Sequence, residues 1–416
     1  MVMHVRYRYR IEPRQAQRAM LARTFGCVRV VFNDAIRARD EAWNVGVKLS
    51  KTDVQRLVIT EAKRTAQRGW LAEVASVALV QSVQDAHRAY QNFFDSCSGK
   101  RRGRKVGKPR FKSRKDNRQS FRLTRNGFSI QSDGTLYVAK VGNVRVRWSR
   151  SLPSVPSSVT IIREPDGGYY ASFVVHRAPQ PLPEVDQETG VDLGISRFAT
   201  CVDTRGNRTD LPNRRHQARK HRKLVRLERE KSRRQKGSNN RHKTRRKVAQ
   251  QHSTLARSRL DEHHKQALHL VRENQTVHVE DLNVAGMLRN HKLARAISDA
   301  GWSQFVRVLG EKAEHYGRAV YTVSRWLPSS KTCSGCGTVK DSTPLSMRTY
   351  QCPACGLVLD RDFNAARNIL AAGRAERENA CGARVSPPSF EGALGDEAGS
   401  RGKPRGSTTP TATDQL

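Results

Sequence analysis

The sequence predicts a multidomain α+β protein: a small antiparallel β-barrel carrying a helical insertion, then a mixed α/β half with a cysteine-rich module inserted in it. Three observations predict this. Apolar residues alternate with period two over residues 1–12 and again over 120–177, with helical spacing between them. Acids sit inside apolar runs in three distant segments: Asp192 in Glu188–Ser196, Glu280 in Val277–Leu282, and Asp360 and Asp362 in Val358–Asn364. Two Cys-x-x-Cys pairs lie between the second and third of these segments.

A chain of 416 residues can hold two or three domains and a sizeable core. Its hydrophobic content is 37%, and no run approaches the ~18 apolar residues of a membrane span. Near the start, Val5, Tyr7, Tyr9 and Ile11 alternate with His4, Arg6, Arg8 and Arg10, which reads as a strand and not as a signal peptide. The expectation is a cytoplasmic, nucleoid-associated protein with no membrane partner and no small-molecule substrate. The formal charge of +39 goes far beyond what solubility needs, so a polyanion is expected to neutralise it, and nucleic acid is the obvious one.

Residues 1–13 and 115–180 are expected to form the barrel, with turns at Asp133-Gly134 and at Asp166 to Gly168. Residues 14–114 form the helical insertion. Pro13 opens it, one stripe runs through Val28, Val31, Phe32, Ala35 and Ile36, and a second runs through Leu79, Val83, Ala86, Tyr90 and Phe93. Gly99 to Pro109 is a Gly-rich basic loop that nothing in its composition can bury. Phe111 and Phe121 flank it, and buried packing outweighs base stacking as the reading of both. A proline-rich linker, Pro179 to Pro183, leads to the second half.

There Asp192 lies on a strand, followed by a hairpin around Asp203–Asn207. Asn213 to Val248 is a very basic helical pair, broken at Gly237–Asn240, whose charge density points to a phosphate-tracking surface. A separate helix through Leu260, Ala267 and Val271 precedes the strand of Glu280. A helix from Trp302 to Tyr316 and a strand Ala319–Val323 precede the cysteines, and a helix Phe363–Ala372 follows Asp362. These segments define a second domain at 186–330 and 358–375, with the cysteine module at 331–357. Residues 376–416, rich in Gly, Ser, Pro, Thr and Ala, read as a disordered tail.

Cys333 and Cys336 are separated from Cys352 and Cys355 by fifteen residues, the spacing of a zinc ribbon. Gly337 and Gly356 permit tight knuckles. Four thiolates close a tetrahedron, so a structural Zn²⁺ is expected there. The other four cysteines (Cys27, Cys97, Cys201, Cys381) read as packing residues, and His263-His264 as solvated or core-edge histidines, since neighbours on a helix point about 100° apart. A carboxylate in an apolar strand is costly to bury unless something charged compensates it. Acids from two strands and a first helical turn can converge at one sheet edge on Mg²⁺ or Mn²⁺. Spacing alone does not separate Asp192, Glu280 and Asp362 from their neighbours Asp281 and Asp360.

The motifs GVDLGI, VEDLNV, SSKTCSGCG, CPACG and DRDFNAARNIL, in that order, resemble the TnpB (OrfB) proteins of bacterial insertion sequences. The early Tyr-Arg-Tyr-Arg-Ile-Glu-Pro and Arg23–Arg29 resemble that family's N-terminal, helix-turn-helix-like module. The resemblance covers about residues 1–375. It implies a RuvC-type nuclease domain of RNase H fold, related to type V CRISPR effectors. It further implies a guide RNA transcribed from the element's end, and cutting of double-stranded DNA that pairs with it beside a short motif. By the same resemblance the catalytic acids fall on Asp192, Glu280 and Asp362, and the zinc ligands on Cys333, Cys336, Cys352 and Cys355. The rival readings are a strand-transfer transposase of RNase H fold and a binding-only RNA-guided regulator.

Overall fold

The computed structural model describes residues 3–380, apart from 102, 343 and 345. It is a mixed α/β protein built on two sheets. Strand β1 (Met3–Glu12) turns its arginines to solvent and its Tyr9 and Ile11 inward, as the period-two pattern requires. Helices α1 (Gln15–Asn44), α2 (Lys51–Gln55) and α3 (Ser76–Cys97) follow. Then come β2 (Gln119–Thr124), β3 (Phe128–Ile130), β4 (Leu136–Val138), β5 (Gly142–Arg147), β6 (Ser158–Arg163) and β7 (Tyr169–Arg177).

The first sheet has the order β2-β6-β7-β1-β5-β4-β3, with antiparallel pairing throughout. Its two edge strands, β2 and β3, are joined by only Arg125–Gly127. Such a link spans at most about 15 Å, so the sheet must curl until its edges approach. The result is a rolled, near-barrel sheet with no ladder between β2 and β3 among the described residues. Its interior holds Tyr9, Phe173 and Trp148, with ring centroids 4.7–5.9 Å apart. Leu21 and Val31 of α1 and Leu79 of α3 belong to the same core, and Phe25 meets Phe121 at 5.2 Å. Helices and barrel therefore share one continuous apolar interior.

Three details differ from expectation. Phe121 is buried but Phe111 is exposed, because Phe111 lies in the extended basic segment outside any element. Residues 3–48 hold one strand and one uninterrupted 30-residue helix, not a helix-turn-helix. The apolar stripe of α1 keeps helical spacing straight past Gly26, so no turn forms there. The basic pair and the following helix also merge: α4 (His216–Arg233) turns at Gly237 into a single 35-residue α5 (Asn239–Glu273). No glycine or proline interrupts α5, and Leu224, Leu227 and Val248 pin the pair together.

The second sheet contains β8 (Glu188–Leu193), β9 (Ala199–Asp203), β10 (Arg208–Leu211), β11 (Thr276–Glu280) and β12 (Ala319–Val323). Its order is β10-β9-β8-β11-β12; the first three strands pair antiparallel, while β8, β11 and β12 are parallel. After β11 come α6 (Val284–Met287), α7 (Ala294–Ala300) and α8 (Trp302–Tyr316). Helices α5 and α8 cover one face, where Val191, Val277 and Val279 meet Leu270, Val271, Trp302 and Phe305. A small hairpin, β13 (Thr349–Gln351) with β14 (Val358–Asp360), leads into α9 (Arg361–Ala380).

Helix α9 covers the other face. It begins two residues before Phe363 and runs through Ala380, so residues 376–380, expected in a disordered tail, are helical. The remainder of that tail, including Cys381, lies outside the described residues. The helix seats tightly because of two glycines. A Cβ on Gly190 would enter the backbone of α9, 2.6 Å from the Leu370 nitrogen, and one on Gly373 would enter the His278 ring.

Gly190→Ala therefore lowers stability by about 1–3 kcal/mol through overpacking. Gly310→Ala on α8, where nothing lies within 4 Å, raises it by about 0.5–1 kcal/mol. Urea midpoints of the two variants that shift in the same direction would contradict this packing.

Candidate active site and metal centre

Strand register sets the first two acids side by side. Val191 of β8 is the parallel partner of Val279 of β11, so Asp192 and Glu280 come next, at the carboxyl ends of adjacent strands. Period two puts both on the face covered by α9, since Gly190 and His278, two residues earlier, both touch that helix. Asp362 arrives from the opposite side, on the first turn of α9. Carboxyl ends of parallel strands are where open α/β sheets gather ligands.

The acids act on one another. Asp192 is pushed up to about 7, first by burial and then by the charges of Asp362 and Glu280, with Arg361 opposing. Burial also raises Glu280, against a hydrogen bond from Ser329. A buried carboxyl raised by neighbouring acids gains from a cation between them, and the hard oxygens of such a group fit a divalent ion such as Mg²⁺ or Mn²⁺. Asp362 is met by arginines: Arg197 at 3.5 Å, Arg361 at 3.5 Å and Arg348 at 3.8 Å.

The neighbouring acids have other partners. Asp281 pairs with Arg325. Asp360 caps α9, accepting from the Asp362 and Phe363 amides at 3.1 Å, and pairs with Arg197 and Arg208. Although burial pushes it upward, the Phe363 amide and these arginines hold its carboxyl below the usual range.

Sequence reasoning missed a second cluster on the same three elements. Glu188 of β8 accepts from His278 of β11 at 2.8 Å and from Arg377 of α9 at 2.6 Å. Each element thus carries one of the three acids and, further from the strand ends, one member of this network. Burial would raise Glu188, but the His278 and Arg377 hydrogen bonds outweigh it and keep the carboxylate ionised. His278, fully buried, is pushed down by that burial despite Glu188, so it is a neutral donor and Arg377 carries the balancing charge. The signal was present in the sequence: Glu188 precedes Asp192 by four residues and His278 precedes Glu280 by two, both even spacings that keep one strand face.

The four predicted cysteines come together. Among the described residues they are the one group of three or more whose ligand atoms all lie within 4.8 Å of one another; the three acids do not. Sγ–Sγ separations of 3.7 Å (Cys333–Cys355) and 3.5 Å (Cys336–Cys352) approach the roughly 3.8 Å edge of a tetrahedron with Zn–S bonds of about 2.3 Å. The knuckles join α9 through Asn364 and Asn368, whose amides donate to the Thr332 carbonyl at 2.7 Å. Gly337 and Gly356 both take positive φ, as tight knuckles require.

The remaining candidates are structural. His263 is buried against Phe198 and Phe305, with Nε2 3.0 Å from the Ala300 carbonyl, and His264 is exposed. Cys27 and Cys201 are buried and Cys97 is exposed. Arg222, Arg226, Arg229 and Arg233 line one groove of about 690 Å³ along α4, spaced to share a helix face. No described helix is long and apolar enough to cross a membrane.

Comparison with known proteins places this arrangement. A Streptomyces pristinaespiralis protein named "Putative RNA-guided DNA endonuclease" is 42% identical over 385 residues, covering 92% of each chain. The OrfB_IS605 family model, described as "Probable transposase", matches residues 172–291. The chain belongs to the TnpB (OrfB) family. Another TnpB relative, Escherichia coli "Putative RNA-guided DNA endonuclease InsQ", is 30% identical, over 91% of this chain and 94% of that one. A Cas12f1-like TNB domain model matches residues 302–369, and a "Helix-turn-helix domain" model matches 1–48, where this TnpB chain has β1 and α1. Among solved structures, a Cas12f1–sgRNA–target DNA complex superposes with a TM-score of 0.53 at 12% identity, covering 84% of this chain and 82% of that one, a likeness of fold.

The Glu188 network makes stability depend on pH. A carboxylate whose folded pKa is depressed stabilises the fold above its unfolded pKa, and that contribution is lost as pH falls through the lower folded value. Glu188→Gln should therefore be less stable than the parent at neutral pH and lose less stability on acidification below about pH 4.5. Parallel thermal melts across that range check it; equal slopes would contradict the network.

Proposed function

We propose that this chain is an RNA-guided, divalent-metal-dependent DNA endonuclease encoded by a transposable element. The observation that carries this reading is the register that sets Asp192 and Glu280 side by side at the carboxyl ends of β8 and β11, with Asp362 on the first turn of the covering α9, in a chain 42% identical to a relative named for that activity. The strand order β10-β9-β8-β11-β12, three antiparallel strands followed by two parallel ones, supports an RNase H-like, RuvC-type nuclease domain.

In this reading Asp192, Glu280 and Asp362 would hold two Mg²⁺ ions, whose chemistry would be to activate the attacking water and to stabilise the leaving 3′ oxygen. The chain's own residues do the rest. The Glu188–His278–Arg377 network and the two glycine contacts fix the three acid-bearing elements against one another. Ser329 orients Glu280, and Arg197, Arg208 and the cap at Asp360 hold the start of α9. Cys333, Cys336, Cys352 and Cys355 hold a structural Zn²⁺ that keeps the 331–357 segment folded against Asn364 and Asn368.

The partners are a guide RNA from the element's end and a double-stranded DNA target beside a short motif. Base pairing reads most of the target sequence, while the barrel and helical insertion grip scaffold and duplex. The arginine face of α4 suits the phosphates of that duplex.

The chain purified with its RNA is expected to carry one abundant species ending in element-flanking sequence, and to cut matching DNA only with Mg²⁺ or Mn²⁺. Asp192→Ala should reduce cutting to background while RNA and target binding persist. Undiminished cutting by that variant, or a preparation with no specific RNA, would overturn the proposal.

For the cysteine module, elemental analysis should find one zinc per chain. Removing it with a chelator should increase protease cleavage within 331–357 while RNA affinity stays within about twofold. A zinc-free native protein refutes the site.

A further inference from the structure

The turn that follows β12 holds an indole that the proposed mechanism leaves without a task. Trp326 is 86% exposed, more than any other large hydrophobic side chain among the described residues. A scattered exposed apolar residue is ordinary, and exposure alone says little. What sets Trp326 apart is that its backbone is fixed on both sides, by contacts that converge on Glu280.

On one side, Arg325 Nε donates to Asp281, the residue after Glu280, at 2.9 Å, and the Asp281 amide donates to the Val323 carbonyl at 3.1 Å. On the other, the Ser329 side chain lies near enough to Glu280 to oppose the rise that burial gives its carboxyl, and the Ser329 carbonyl accepts from Asn368 of α9 at 2.8 Å. Between them, the Leu327 amide donates to the Ser324 carbonyl at 3.1 Å, and the Trp326 amide donates to Ser324 Oγ at 3.3 Å. The turn is ordered by its neighbours while its largest side chain buries almost nothing. Two residues, Leu327 and Pro328, separate Trp326 from Ser329, so their Cα atoms lie within about 11 Å.

An aromatic plane held in solvent beside a nucleic-acid-cutting site suits one occupant. A nucleobase has a π-face whatever its identity, and stacking on an aromatic side chain is worth about 1–3 kcal/mol. In a duplex both faces of an internal base are already stacked, so only a single-stranded stretch offers one. At roughly 3.4 Å per nucleotide of a helical strand, an 11 Å reach is about three nucleotides.

We propose that Trp326 is the stacking platform for an unstacked base of the DNA strand being cut, within about three nucleotides of the scissile phosphate. It acts as a positioning residue, setting where that phosphate comes to rest. The inference rests on the nuclease reading above, and its test separates the two.

The experiment uses the full chain with its co-purified RNA and a matched target. Trp326→Ala should cut about 5- to 150-fold more slowly, the range that loss of one stack implies, with target affinity unchanged. Trp326→Phe should recover most of the rate. An abasic nucleotide scanned over three positions on each side of the cut should slow the parent at one position by a similar factor, and slow Trp326→Ala no further there. As a readout independent of cutting, 2-aminopurine at that position in complexes carrying Asp192→Ala should be quenched with Trp326 present and bright with Trp326→Ala.

Equal rates for parent and Trp326→Ala overturn the inference and leave the nuclease reading intact. So does a full abasic penalty that persists in Trp326→Ala, or an unquenched probe at all six positions. A parent chain that cuts no DNA overturns the nuclease reading, and this inference with it.

Discussion

The close approach of α9 to β8 is the contact on which the rest of the second half depends. Asp192 and Glu280 are neighbours by strand register alone, but Asp362 belongs to a helix more than eighty residues further along the chain. Only a helix lying flush on the sheet can present its first turn to the strand ends. Gly190 and Gly373 make that possible by removing the side chains that would hold helix and sheet apart. The Glu188–His278–Arg377 network then resists sliding along the contact, since a buried carboxylate separated from its guanidinium would be left uncompensated.

The same logic explains the charge arrangement around the acids. Asp192 sits where burial and like charge both penalise ionisation, whereas Asp360, close by, is held ionised by a helix start and two arginines. The cysteine module closes the arrangement from the side. Its Thr332 carbonyl, and that of Ser329 just before it, are bonded by asparagines of α9, so the knuckles and the helix bearing Asp362 form one unit.

Much of this was legible from residue order. Period two in Met3–Glu12 and in 120–177, the Cys-x-x-Cys spacing, and the apolar settings of Asp192 and Glu280 are local signals, and local signals survive in a single sequence. What escaped was long-range. The merging of two expected helices into α5 depended on the absence of a breaker, which is weaker evidence than the presence of one. The split fate of Phe111 and Phe121 was set by a partner, Phe25, some ninety residues away. Glu188, His278 and Arg377 read individually as ordinary polar residues, and only the pairing of β8 with β11 and α9 makes them a cluster. Spacing left Asp281 and Asp360 beside Asp192, Glu280 and Asp362, and it was the family resemblance that chose among them.

Helix α5 carries a mechanical implication. In its first half and at its middle, Arg246 and Arg257 grip the β6–β7 turn at Asp166; near its end, Leu270 and Val271 lie in the core beneath β8 and β11. Thirty-five helical residues without a break make a rod about 52 Å long. Such a rod behaves as a lever. Over the roughly 38 Å from Arg246 to Val271, a tilt of about 5° imposed by whatever the barrel grips becomes a displacement of about 3 Å, more than a packed core tolerates. The two halves of this molecule are therefore geared to each other, and the barrel cannot change its posture without the sheet feeling it.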